Sequence, residues 1–225
     1  ENVSGSILSI LRRANSFRPF AQALASGIED GTIDINLLQE VSNGVWQRTI
    51  EAADQAYVPG EFTTFAAYEY TSSVELYDNY LHRNVIFRDT KKLPKRLFTR
   101  GDSLNPEDLW NWMDGLRKNG VDSLAIPHNS NLSGGAAFEL TYYNGDPIDE
   151  AYARKRSNNE PLVEVTQAKG TSETHPLLSR NDEWAAFEIP VEKEAKLLKN
   201  AKGSFVRDAY SVSYTHLRAH ETSRN

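Results

Sequence analysis

The helix–strand unit at residues 105–128, whose sequence is NPEDLWNWMDGLRKNGVDSLAIPH, decides the fold class. Asn105-Pro106 begins a helix, because proline suits the first helical position and the two acidic residues that follow favour a helix N-terminus. Asn119-Gly120 ends this helix. The apolar run of residues 121–127, centred on Leu124-Ala125-Ile126, predicts a buried strand that ends directly before His128. A helix followed by a buried strand is the repeating unit of α/β domains.

Helices and strands alternate on both sides of this unit. Apolar spacing predicts one or two helices over residues 6–28 and further helices over 35–57 and 149–158. Runs rich in apolar, β-branched and aromatic residues predict strands at 62–70, 81–87 and 162–166. The alternation favours an α/β domain with a mainly parallel sheet. A barrel of this class places polar residues at its C-terminal strand ends in the site.

The composition of the chain limits the function classes. Of its 225 residues, 39% are hydrophobic and 10% aromatic, which is enough for one sizeable core. The net charge is −6 and no Lys/Arg block is long enough to bind a duplex, so nucleic acid is excluded as the main partner. Without cysteine, a metal site must use histidine, carboxylates and water. No apolar run is long enough to span a bilayer, and the compartment stays open because the first residue is Glu1 rather than Met.

Three potential metal ligands lie on or beside predicted strands. Glu69 lies in an apolar, aromatic strand, where a buried carboxylate needs a cation or a set of donors. His82 begins a strand, and His128 follows a buried strand at the end where α/β domains place their sites. Glu69 and His82 each have an ordinary alternative when taken alone. Glu69 is then a carboxylate capped by backbone amides or an arginine, and His82 is a core histidine. Together the three are ligand types that Zn²⁺, Mn²⁺ or iron accepts.

Two polar segments are candidates for substrate contacts. Residues 169–175 hold a cation, a hydroxyl, a carboxylate and an imidazole, namely Lys169, Ser172, Glu173 and His175. Such groups bind anions or shuttle protons, and a polar surface loop is the alternative. Residues 129–135, which begin with Asn129, are rich in Asn, Ser and Gly. They form either a cradle of backbone N–H groups for an oxyanion or a plain turn.

The C-terminal segment differs from the rest of the chain. Residues 211–225 read SVSYTHLRAHETSRN, which resembles translated sequencing-adapter read-through, and the core pattern stops near Tyr210. We therefore predict one domain over residues 1–210 and a non-native tail over 211–225. His216 and His220 have the spacing of a helical metal pair, but in such a tail they carry no function.

Four stretches of the sequence resemble those of the DUF3604 family. They are HRNVIFRD at 82–89, NPEDLW at 105–110, AIPHN at 125–129 and QAKGTSETHP at 167–176. The resemblance covers about residues 62–210. This family is similar to PHP-domain metal-dependent hydrolases. The resemblance therefore implies a partial, distorted (β/α)7 PHP-like (TIM-like) barrel with a di- or trinuclear metal centre.

The resemblance also implies a role for each candidate ligand. Glu69 matches the metal-bridging carboxylate of the PHP pattern, His82 the histidine after it, and His128 the later strand-end histidine. The opening His-x-His pair and the closing Asp-x-His of that pattern are not found here. The chain is therefore expected to be truncated at both ends. Hydrolase activity is expected of the full-length form, and this fragment is expected to be inactive. Glu173-Thr174-His175 has a similar spacing but is not equated with the closing motif.

The predicted function is metal-dependent hydrolysis of a small anionic substrate such as a phosphoester, by water activated by divalent metal ions (Zn, Mn or Fe). The resemblance favours substrate contacts in the loop at 169–175. The full predicted substrate-binding set is Lys169, Ser172, Glu173, His175, Asn129 and Arg83. The alternative is a non-catalytic barrel that binds an anionic or carbohydrate ligand through the same loop, with a structural metal or none.

Overall fold

The computed structural model describes residues 30–72, 81–189 and 201–210, together with residues 19, 23, 26 and 27. The chain divides into two compact units, residues 1–48 and residues 49–225. Most of the predicted helical region 6–28 lies outside the described residues, and its four described positions are helical. The predicted tail at 211–225 lies wholly outside them.

Helix α1 (Ile35–Ala56) forms where the apolar spacing predicts it. The backbone carbonyl of Asp34 accepts a hydrogen bond from the Leu38 N–H, which begins the helical pattern. At the other end, the carbonyl of Ala53 accepts a 2.7 Å hydrogen bond from the Thr64 hydroxyl. This bond attaches the end of α1 to the segment that leads into the first strand.

Three strands form an antiparallel sheet in the order β1-β2-β3, with β1 at Ala67–Thr71, β2 at His82–Phe87 and β3 at Ser123–His128. The prediction of a mainly parallel sheet does not hold for these strands. Ten residues, 72–81, connect β1 to β2. A parallel crossover needs about a dozen or more, so this connection suits an antiparallel pair. The first strand also begins at Ala67 rather than at 62, because Phe62 forms an isolated bridge with Val58.

The two faces of this sheet differ in chemistry because side chains alternate along each strand. On β2, Arg83, Val85 and Phe87 are buried. His82 and Asn84 point to the other face, where Asn84 is exposed. The buried face belongs to the core, and the second face is free to carry polar groups.

Helices α2 (Pro106–Lys118) and α3 (Glu150–Asn159) pack against each other and against β3. Each begins with a capping side chain: Asn105 Oδ1, at the predicted helix start, accepts from the Glu107 N–H at 2.9 Å, and Asp149 Oδ1 accepts from the Tyr152 N–H at 2.8 Å. α2 contributes three fully buried residues to the core, namely Leu109, Trp110 and Met113. The helix–strand unit of the sequence thus forms the core that supports the sheet.

The predicted strand at 162–166 is wrong over most of its length. Only Thr166–Gln167 is a strand, β4, and it pairs antiparallel with β5 (Gly170–Thr171). The preceding residues still follow β3, since the Glu164 N–H donates to the Pro127 carbonyl at 3.1 Å. Between β3 and α3, two short 3-10 helices occupy Ser130–Leu132 and Ala136–Phe138.

The described part of the chain is a mixed α/β structure with small antiparallel sheets. The TIM-like barrel stays a prediction. Among the described residues, no helix is both long and apolar enough to cross a membrane.

Candidate metal centre

The antiparallel pairing brings the three predicted ligands together. His82 is the first residue of β2 and pairs with His128, the last residue of β3. On the other side His82 pairs with Thr71, and Glu69 lies two residues before Thr71 on the same face of β1. The start of the central strand therefore lies between the ends of its two neighbours.

One potential ligand atom from each of Glu69, His82 and His128 lies within 4.8 Å of the other two. Glu69 Oε1 lies 2.6 Å from His82 Nδ1, and the Thr71 hydroxyl lies 3.0 Å from the same nitrogen. The two imidazole rings stack at 5.5 Å between centroids with an interplanar angle of 18°. Two imidazoles and a carboxylate at this spacing are a donor set for a single divalent cation.

The local electrostatics keep the carboxylate and one imidazole in the forms that bind cations. A hydrogen bond from His82 lowers the pKa of Glu69, and the neighbouring imidazoles and Thr71 act in the same direction against the opposing effect of burial. Burial lowers the pKa of His128, which favours its neutral form. A metal ligand must be an ionised carboxylate or a neutral imidazole, so the residues fit such an ion.

The predicted substrate loop at 169–175 does not present its four side chains on one side. Ser172 and His175 are buried, whereas Lys169 and Glu173 are exposed. Lys169 lies in the turn between β4 and β5, and Glu173 forms an ion pair of 2.5 Å with Arg207. Ser172 and His175 are thus separated from Lys169 and Glu173 by their burial, and the substrate contacts predicted for the four residues stay a prediction.

Ser172 connects this loop to the segment that follows His128. Its hydroxyl accepts a hydrogen bond from the Asn131 N–H at 3.3 Å, and Asn131 Nδ2 donates to the Lys169 carbonyl at 3.2 Å. Among the described residues, Asn129 Oδ1, Ser130 Oγ and Asn131 Oδ1 are buried without a hydrogen-bond partner. Buried acceptors without donors are costly.

A family model, described as "Protein of unknown function (DUF3604)", matches residues 9–220. The chain belongs to the DUF3604 family. The match extends further at both ends than the resemblance over residues 62–210, and it includes the first ten residues of the predicted tail. No curated protein and no solved structure matches the chain.

In this DUF3604 protein, Arg83 lies on the opposite face of β2 from His82. Arg83 Nε donates to Glu160 Oε1 at 2.5 Å, and their side chains are only 4% and 2% exposed. Trp110 Nε1 donates to the same oxygen at 2.8 Å, and Arg156 Nε donates to Glu160 Oε2 at 3.1 Å. This geometry gives Arg83 a structural role beneath the site, and its predicted substrate contact stays a prediction.

Sequence reasoning missed two residues beside the centre. Thr71 is the partner of His82, and its position two residues after Glu69 in a strand was the available signal. Glu164 lies close enough to His128 to favour the charged form of this histidine. Glu164 Oε1 also accepts from the Asn129 N–H at 3.2 Å. A carboxylate within the apolar run of residues 162–165 was the same signal that identified Glu69.

Asn129 has a backbone conformation that few residues adopt. Its φ is +56° and its ψ is +32°, the left-handed region in which asparagine is among the better tolerated side chains. This residue turns the chain directly after His128 and places its N–H on Glu164. The conformation of Asn129 thus helps to fix the end of β3, where the candidate metal ligand His128 lies.

Proposed function

We propose that this protein is a metal-dependent hydrolase whose centre uses Glu69, His82 and His128. The observation that carries the proposal is the clustering of these three ligand atoms within 4.8 Å. Membership of the DUF3604 family, with its similarity to PHP-domain hydrolases, supports it. The substrate class that we propose is a phosphoester or a similar small anion.

The chain's own residues hold and orient the site. In one tautomer His82 Nδ1 donates its proton to Glu69 Oε1 at 2.6 Å, and its Nε2 lone pair is then free to bind a cation. The Thr71 hydroxyl, 3.0 Å from the same nitrogen, helps to orient this ring. A divalent cation in such a site polarises a substrate oxygen and lowers the pKa of water. Zn²⁺, Mn²⁺ and iron all accept these ligands.

The test is metal content together with hydrolysis of a generic aryl phosphate. We expect the wild-type protein in its full-length form, loaded with each metal and then dialysed, to retain metal. His128→Ala and Glu69→Gln should lose most of it and nearly all hydrolysis. His175→Asn is the matched control, because His175 is a buried histidine outside the cluster, and it should keep its metal. Retention of metal by both ligand variants would refute the assignment.

The competing function is binding of a ligand without catalysis through the loop at 169–175. Stoichiometric metal without turnover of any phosphoester, combined with ligand binding that a chelator does not change, would favour it. Lys169→Ala tests whether the loop contacts the substrate of the proposed hydrolysis. If Lys169 contacts an anionic substrate, this variant weakens turnover while metal content stays the same.

A further inference from the structure

A cavity of ≈ 180 Å³ is lined in part by the loop at 169–175. We call it the aromatic pocket. Its lining residues are Thr171, Glu173, Thr174, Asp182, Trp184, Ala185, Phe187 and Arg207. None of these residues belongs to the candidate metal centre.

Two large aromatic side chains at this pocket are open to solvent. Trp184 is 71% exposed and Phe187 is 62% exposed. Single exposed aromatic residues are common on protein surfaces, but two that line one cavity offer a concentrated apolar surface. Aromatic rings of this kind are typical anchors of binding sites.

A hydrogen-bonded turn sets the backbone positions of both aromatic residues. The Phe187 N–H donates to the Trp184 carbonyl at 2.9 Å, and the Trp184 N–H donates to Asp182 Oδ1 at 2.9 Å. Ala185, between the two aromatic residues, is buried and anchors the turn. A backbone held in this way lowers the part of the entropic cost of binding that comes from ordering the loop.

The polar side of the pocket offers donors and acceptors together. Arg207 pairs with Glu173 at 2.5 Å and with Asp182 at 2.6 Å. Two carboxylates around one guanidinium disfavour an anion, and the guanidinium disfavours a cation. A neutral ligand rich in hydroxyl groups fits best, because each hydroxyl both donates and accepts hydrogen bonds.

We propose that the aromatic pocket binds a neutral sugar ring. One face of a pyranose carries C–H groups, which suit the negative face of an exposed indole ring. Its edge carries hydroxyl groups in fixed directions, which suit the planar guanidinium and carboxylates of Arg207, Asp182 and Glu173. This binding goes beyond the proposed hydrolysis and does not depend on it, because no pocket residue is a metal ligand.

The experiment uses the full chain with a chelator present, so that a bound cation contributes nothing. Cellobiose and methyl β-glucopyranoside are the neutral probes, and glucose 6-phosphate and inorganic phosphate are the anionic ones. Saturation-transfer NMR and calorimetry measure each affinity. We expect saturable binding of a neutral probe with a Kd on the order of 1 mM, and weaker binding of both anions.

Variants locate the binding. Trp184→Ala should weaken sugar binding about tenfold, and Glu173→Gln should weaken it by a smaller factor. Phe65→Ala is the matched control, because Phe65 is 56% exposed and does not line the pocket, and it should bind sugar normally. His128→Ala should also bind sugar normally, which separates this inference from the metal centre.

Three results would overturn the proposal. One is the absence of saturable binding for both neutral probes. Another is tighter binding of inorganic phosphate than of the sugars, which would make the pocket an anion site. The third is sugar binding that Trp184→Ala does not change. Because Trp184 is largely exposed, Trp184→Ala should have the same Tm as the wild type. A loss of sugar binding in this variant would therefore not be explained by misfolding.

Discussion

Replacement of Glu160 by glutamine tests the buried network beneath the candidate centre. The Glu160 carboxylate accepts from Arg83 Nε, Arg156 Nε and Trp110 Nε1, and its side chain is 2% exposed. A glutamine side chain at this position has only one acceptor oxygen, and its NH₂ group must face one of these N–H donors. Two guanidiniums with little access to water would then lack a counter-charge.

The expected loss follows from the burial of the partners. Removal of one member of a buried ion pair costs about 3–5 kcal/mol, because it leaves an uncompensated charge. Arg83 is only 4% exposed, but Arg156 is 16% exposed and recovers some solvation, so we expect the lower end, about 3 kcal/mol. For a chain of this size, that lowers Tm by about 6–12 °C.

Urea unfolding followed by circular dichroism measures this loss, and Glu150→Gln is the control. Glu150 pairs with Arg154 on the same helix, α3, but the Arg154 side chain is 62% exposed. Such a surface pair contributes about 0.5 kcal/mol or less. If Glu160→Gln costs no more than the control, the network does not carry the buried charge that we assign to it. Because Arg83 follows His82 directly, Glu160→Gln should also weaken metal binding at the start of β2.

Three further results are expected. Thr71→Val should weaken metal binding about tenfold in a competition assay against a chromogenic chelator, because the His82 ring loses its contact with the Thr71 hydroxyl and is oriented by Glu69 alone; unchanged affinity would contradict this. Asn129→Ala should be about 1 kcal/mol less stable in urea than Asn129→Gly, since alanine is strained at φ +56°; equal stabilities would remove the strain argument. Burial opposes the charge of Glu160, but Arg83 and Arg156 outweigh it and lower the pKa of this group. The ionised Glu160 carboxylate therefore stabilises the fold above the ordinary glutamate pKa of about 4.3, and this stabilisation is lost as the pH falls through the pKa of Glu160 in the folded protein. The difference in unfolding free energy between wild type and Glu160→Gln should therefore shrink below about pH 4.

The sequence determined the local elements of this protein. Asn105 and Pro106 specified the start of α2, and the observed cap confirms it. Apolar spacing located α1, and helical spacing located α3. These features depend on neighbouring residues only, through backbone hydrogen bonds and the spacing of apolar side chains. They can therefore be read from a single sequence.

Only the tertiary structure decided how the strands pair. A run such as residues 81–87 predicts a strand but not its partner or direction, because both depend on residues far away in the sequence. The antiparallel register placed His82 between Thr71 and His128, and a shift by one residue would have turned the ligands to opposite faces. The residue types of the centre were thus visible in the sequence, whereas Thr71 and Glu164 were not recognised.

The burial and the partners of charged residues also could not be predicted without the fold. Arg83 adjoins a predicted ligand, and from the sequence it was a candidate to face the substrate. Strand alternation directs it to the core, where its partner Glu160 is 77 residues away along the chain. The sequence by itself determined which residues have chemistry to offer. The fold decided which of them meet in space, because an ion pair or a metal site forms only between groups that long-range packing brings within a few ångströms.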